Sequence, residues 1–262
     1  EYEDKWVMIH AKSILLKNYN KLGTPEDLKN SLMPESELYQ QIVEDIKAQF
    51  LCSAYHMKVV EGAIKAIICT HPAIIEDVVP FMNTEARRSR AFSLAASEYA
   101  KQVNIDVFDA GRLVKYLEKV TYDRLDKDAP VKIIIRRLTS WVKDETKVLK
   151  YLKQLNNVYE MVEDDGVKCY VLSKVYLWGA KHCPDDSFFS HIKEKLDSTW
   201  KKIDIPWIKV GVGYEIARCL SKISLKQDAC EYIQKTNEYR KSQVLPNDSC
   251  FHAVYSSLLL YV

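Results

Sequence analysis

The chain has 262 residues, 38 of them basic and 36 acidic for a formal net charge of +2, and 47% hydrophobic content, enough to build a packed core without staples. That near-balance argues against a strongly basic nucleic-acid binder and against an acidic tail. Seven glycines and eight prolines are about half of ordinary usage, which removes most of the positive-φ positions that hairpins, phosphate loops and nucleophile elbows need.

Long helices joined by short polar links follow from that shortage: an all-α, antiparallel helical array. From Lys5, the apolar residues Trp6, Ile9, Leu15, Leu16 and Tyr19 keep a helical period as far as Gly23, a C-terminal stop. Thr24-Pro25-Glu26-Asp27 combines an N-cap, an N1 proline and an N3 acid, and starts a short helix. Beyond Pro34, Leu38, Ile42, Ile46 and Phe50 lead a long periodic segment to Ile68, broken once near Ser53 to Met57. Thr70-His71-Pro72 ends it, because the residue before proline avoids the α region.

A short helix is expected from Pro72 to Val79, and a better one, capped by Asn83-Thr84-Glu85, ending near Asn104. The next reads as a single helix from Asp106 to Asp126, with Leu113, Leu117 and Val120 inward and Arg112, Lys115 and Lys119 outward. Pro130 opens a helix through Val142, and Asp144 to Leu155 continues the pattern. Two β-favouring runs, Val158 to Val162 and Val167 to Val171, then flank Glu163-Asp164-Asp165-Gly166, which reads either as a small β-hairpin near 158–171 or as two helices meeting at Gly166. Helices follow at Leu172 to His182, Ser187 to Ile203, Pro206 to Ile223, Leu225 to Ser242 and Asp248 to Tyr261. With no Gly-, Ser- or Pro-rich linker, residues 1–262 read as a single helical domain with a seam near 164–166, and the initial Glu1 suggests a piece of a longer protein.

One stretch carries a family likeness. Asp77-Val78-Val79-Pro80 through Asn83-Thr84-Glu85-Ala86-Arg87-Arg88 to Leu94-Ala95 offers a proline-bearing first helix, a capped turn, an Ala-Arg entry and small residues on one face, and Asp128-Ala129-Pro130 to Leu138 looks alike. Arg87 and Lys132 are 45 residues apart, inside the period of HEAT and armadillo units, about 40 to 47. Residues 72–142 thus resemble HEAT/armadillo repeats. The resemblance implies a short α-solenoid whose extended surface holds another macromolecule.

Reactive constellations are sparse in the sequence. Glycine-rich phosphate loops, G-x-S-x-G, H-E-x-x-H and kinase signatures are missing, and Gly211-Val212-Gly213 reads as close helix packing. The most chemical-looking cluster is His182-Cys183 with His191 nearby, yet adjacent residues on a helix diverge and the spacing to Cys169 fits no zinc arrangement. Asp123, Asp126 and Asp128 read as a solvated link, and Asp164 and Asp165 as turn residues. The expectation is no enzyme, cofactor or metal. Seven cysteines (Cys52, Cys69, Cys169, Cys183, Cys219, Cys230 and Cys250), odd in number and without a C-x-x-C pair, point to a reducing, cytoplasmic or nuclear compartment. No apolar run approaches the length of a membrane span.

Charge is unevenly placed. Between Arg112 and Lys153 the residues sum to +6, leaving −4 for the rest of the chain. Arg112, Lys115 and Lys119 form one helical stripe, and Lys143, Lys147, Lys150 and Lys153 another. Arg112, Lys115, Lys119, Arg136, Lys143, Lys147 and Lys150 are therefore the candidate binding residues, an electropositive face for an acidic or extended segment of another protein or, alternatively, for nucleic acid. Among the aromatics, Trp200 and Trp207, flanked by Lys201, Lys202 and Lys209, are to be checked for exposure.

Overall fold

A computed structural model describes residues 2–19, 33–50, 56–222 and 225–242. The α-helices are α1 (Tyr2–Asn18), α2 (Glu35–Phe50), α3 (His56–Ile67), α4 (Ile74–Val78), α5 (Glu85–Gln102), α6 (Ala110–Glu118), α7 (Asp128–Trp141), α8 (Glu145–Gln154), α9 (Asn156–Glu160), α10 (Asp165–His182), α11 (Ser187–Lys202), α12 (Pro206–Lys222) and α13 (Lys226–Ser242). No strand occurs among the described residues, so the fold is an all-α helical array. The helices expected at Thr24 to Asp27 and Asp248 to Tyr261, and the break near Ser53, lie outside the described residues. The chain divides into two compact units, Glu1–Ile133 and Ile134–Val262, with the division inside α7. Asp164 to Gly166 lies within the second unit.

In the first unit, α1 packs on α2 and α3, α3 on α5, and α5 on α6. The buried residues of α5 are mostly small, Ser89, Ala91, Ala95, Ala96 and Ala100, with Tyr99 and Glu98 as the large members. Thr84 caps it, its hydroxyl accepting from the Arg87 N–H at 3.3 Å. Arg87 and Lys132 each fall in the early turns of a helix, α5 and α7.

The single helix expected from Asp106 to Asp126 is not formed. A 3₁₀ turn at Ile105–Val107 precedes α6, which runs only from Ala110 to Glu118, and a second 3₁₀ turn covers Arg124–Lys127. Side-chain oxygens decide the breaks. Asn104 caps the first turn, Asp109 accepts from the Arg112 N–H to start α6, and Asp123 accepts from Leu125. Tertiary contacts hold the result: the Asp109 N–H donates to the Tyr99 hydroxyl at 2.9 Å, and the Ser89 hydroxyl accepts from Thr121 and Tyr122, both at 3.1 Å. The inward set Leu113, Leu117 and Val120 is buried as the pattern required.

In the second unit α10 is the central helix. Cys169, Val171, Leu172, Val175, Tyr176 and Trp178 are buried around its circumference, as suits a helix apolar on more than one side. It packs against α8, α9, α11 and α12, and α12 pairs with α13. Two glycines permit the closest approaches. A methyl at Gly179 would sit 2.0 Å from the Phe189 ring, and one at Gly213 would sit 2.2 Å from Thr236 Oγ1. The close-packing reading of the Gly211–Gly213 pair thus holds at Gly213.

Of the two readings of 158–171 the hairpin is not formed and helix stands on both sides: α9 covers Asn156–Glu160 and α10 begins at Asp165. The turn residues act as a helix start. Asp164 is the N-cap of α10, accepting from the Val167 N–H at 2.8 Å, and Gly166 sits in the first helical turn. Val158, Tyr159 and Val162 of the first run are buried, and the Tyr159 hydroxyl donates to the Leu152 carbonyl at 2.7 Å.

Candidate partner-binding surfaces

The seven candidate residues separate into two sets, one in each unit. Arg112, Lys115 and Lys119 belong to the first unit, on α6 and its C-cap. Lys115 and Lys119 are exposed, while Arg112 is half-buried with its guanidinium 5.8 Å from the centre of the Tyr99 ring. In the same unit Tyr122, three residues past Lys119, exposes 69% of its surface.

Arg136, Lys143, Lys147 and Lys150 belong to the second unit. Asp144 caps α8 through the Lys147 N–H at 3.1 Å, and Val148, Tyr151 and Leu152 form its buried face. That burial leaves Lys150 and Lys153 on the solvent side and Lys147 at the edge. Acids then divide the stripe. Lys153 pairs with Asp186 at 2.6 Å and Lys147 lies 3.7 Å from Asp144, whereas Arg136, Lys143 and Lys150 are exposed with no carboxylate at ion-pair distance among the described residues. Trp141, at the end of α7 and two residues before Lys143, is 68% exposed.

Two cations of the same unit, Lys174 on α10 and Arg218 on α12, escaped the sequence reading. The Tyr170 phenol on α10 is pushed up mainly by burial, against the pull of the Arg136 charge. Lys174, one turn along α10, holds its ammonium 5.3 Å from the centre of the Tyr170 ring. Across on α12, Glu215 takes a fork from Arg218, whose Nε and Nη2 donate at 2.7 and 2.5 Å, and accepts from the Cys219 thiol at 3.3 Å. Burial opposes ionisation of Glu215, but the Arg218 and Cys219 hydrogen bonds, with the charges of Arg218 and Lys174, hold it below its ordinary range. The Cys219 thiol is pushed up by burial and by Glu215, and so stays protonated. Lys174 and Arg218 lie outside the basic strip in sequence; their α10 and α12 spacing alone, Tyr170/Lys174 and Glu215/Arg218, is what could have flagged them.

The His182-Cys183 cluster does not form a nucleophile with its base. His182 ends α10 with its ring stacked on Trp178 at 5.0 Å, and its Nδ1 lies 2.7 Å from Glu145 Oε1. Cys183 is the C-cap, and its thiol is raised by burial and by Asp186 and Glu145, the opposite of an activated thiolate. His191 faces Glu194 at 3.5 Å. Asp123 is a cap and Asp128 is buried. Among the described residues no three His, Cys, Asp or Glu side chains are placed to hold a metal ion.

Comparison with protein-family models, curated proteins and solved structures finds no match.

Of the two tryptophans flanked by lysines, Trp200 is 6% exposed and donates to the Lys209 carbonyl at 3.0 Å, so it belongs to the core. Trp207 is 41% exposed, beside Ile205 at 43%. Among the described residues no helix is long and apolar enough to cross a membrane.

Proposed function

We propose that the protein is a non-catalytic interaction domain that docks an acidic segment of a partner protein, in the cytoplasm or nucleus, on the electropositive surface running from α7 into α8. The observation that carries this reading is the set Arg136, Lys143 and Lys150, exposed cations that no carboxylate among the described residues neutralises, beside Lys147 and Lys153, which have acidic partners. Unpaired surface cations gain by meeting a partner's acids, because those acids bring Coulomb attraction without breaking an existing pair. Lys115 and Lys119 offer the first unit a smaller surface of the same kind. A stack of HEAT-like helix pairs is the architecture that fits this role, since such stacks present long surfaces to extended ligands.

Single-stranded nucleic acid is the second reading, favoured by exposed Trp141 two residues before Lys143, an aromatic on which a base could stack. Fluorescence anisotropy separates the two, using a labelled ten-residue glutamate-rich peptide and a labelled single-stranded oligonucleotide across a salt series. Docking of an acidic segment predicts saturable peptide binding with a shallow salt slope. No peptide binding at low salt, with oligonucleotide binding that falls steeply as salt rises, would replace the first reading by the second.

A further inference from the structure

One acid sits inside the basic surface with an imidazole as its partner. Glu145 opens α8 and is exposed, two residues after Lys143 and two before Lys147, and two residues of backbone span at most about 7 Å. Asp144 beside it is engaged as the α8 cap and lies 3.7 Å from Lys147. Among the described residues the hydrogen-bond and ion-pair partner of Glu145 is His182, at the end of α10, whose Nδ1 lies 2.7 Å from Oε1. Trp178 orients the ring by stacking on it at 5.0 Å. The other charged groups near the imidazole are Lys181 on its own helix, Asp185 and Asp186 in the turn into α11, and Lys153 of α8, which pairs with Asp186 at 2.6 Å. The neighbouring Cys183 thiol, raised by burial and by Asp186 and Glu145, stays protonated.

A carboxylate only accepts hydrogen bonds, so Nδ1 carries its hydrogen in this contact and Nε2 is left to take a second proton. Histidine is the side chain that gains charge between about pH 8 and 5. With a neutral ring, the negative charge of Glu145 offsets an unpaired cation of the surface, Lys143 being the nearest in sequence. With an imidazolium that charge is matched, and the surface is more positive by one. We propose that His182 and Glu145 form a pH-sensitive pair that strengthens docking of the acidic partner segment as the pH falls. The inference rests on the docking reading and adds its regulation. By linkage, a bound acidic segment favours the protonated ring in turn.

The test measures anisotropy of the labelled glutamate-rich peptide on the full chain from pH 8 to pH 5.5 at fixed salt. Affinity should rise about threefold, the effect of one added charge about 10 Å away in a largely aqueous field. His182→Gln, which keeps a hydrogen-bond donor but does not titrate, should flatten the profile. His191→Gln on α11, which removes the imidazole facing Glu194, should leave the rise intact. Glu145→Gln should bind about threefold more tightly at pH 8, and its rise should begin at lower pH, because the carboxylate that favours the imidazolium is gone. A flat profile in the parent, or an equal rise in His182→Gln, with unaltered far-ultraviolet spectra, would overturn the pair. Weaker binding by Glu145→Gln at every pH would overturn it as well, since the contact would then serve only to hold α8 in place. Failure of the docking reading looks different: the peptide is not bound at any pH, or its binding ignores charge reversal at Lys143 and Lys150, and this inference falls with it. Charge-dependent binding without the pH response defeats this inference alone.

Discussion

Replacing Gly179 by alanine probes the tightest approach in the second unit. Added to α10, a methyl carbon would stand 2.0, 2.1 and 2.5 Å from three atoms of the Phe189 ring on α11. Carbon atoms rest about 3.5–4.0 Å apart, so the ring must retreat by about 1.5 Å. It has nowhere to go: Phe189 is buried, with Trp178 at 6.0 Å on one side and Phe188 edge-on at 5.0 Å. Overpacking a core of this kind costs up to about 3 kcal/mol, against about 1 kcal/mol gained by alanine over glycine in a helix interior. The expected net loss is about 2 kcal/mol, a fall of about 4–8 °C in melting temperature for a chain of this size. Thermal melts followed by far-ultraviolet circular dichroism measure it, repeated in a Phe189→Ala background. There the clash is gone, and Gly179→Ala should turn stabilising by about 0.5–1 kcal/mol. A Gly179→Ala variant more stable than the parent with the native Phe189 in place would refute the packing argument, because helix propensity alone would then be at work.

Two more outcomes follow from local chemistry. Asp164→Ala removes the acceptor for the Val167 N–H at the start of α10 and should cost about 1 kcal/mol, while Asp164→Asn should keep most of it; chemical denaturation of both measures the difference. Glu160 is held below its ordinary range first by the Lys195 hydrogen bond at 2.8 Å, against burial, and then by the charges of Lys195 and Lys168. A lowered carboxylate contributes stability above its unfolded pKa and loses it as the pH falls through the folded one. Urea midpoints between pH 6 and pH 3 should therefore decline more steeply for the parent than for Glu160→Gln, and parallel curves would contradict the pairing.

Helix identity was readable wherever one face alone is apolar. The inward positions Leu113, Leu117 and Val120 are buried, and Thr84 and Asp144 cap the helices they precede. What escaped depends on which partner a short polar side chain chooses. Asp164-Asp165-Gly166 is equally good as a hairpin turn or as a helix start, and the Asp164 oxygen on the Val167 N–H makes it the latter. Asp109 lies inside a periodic pattern that reads through it, yet it begins a new helix because the Tyr99 hydroxyl, ten residues back, holds its N–H. The basic strip was visible as composition but not as a surface. Sequence cannot tell that Asp186, 33 residues along, neutralises Lys153, nor that the charge of Lys174 on α10 acts on Glu215 on α12.

Docking through the unpaired cations is tested most directly by two charge-reversed forms of the full chain. One carries Arg136→Glu, Lys143→Glu and Lys150→Glu; the other carries Lys147→Glu and Lys153→Glu, whose parent lysines already have acidic partners. Anisotropy with the labelled glutamate-rich peptide should show at least about a tenfold loss of affinity in the first and less than about threefold in the second. Equal losses in the two, or no loss in the first, would contradict the claim that exposed, unneutralised charge on this surface holds the partner.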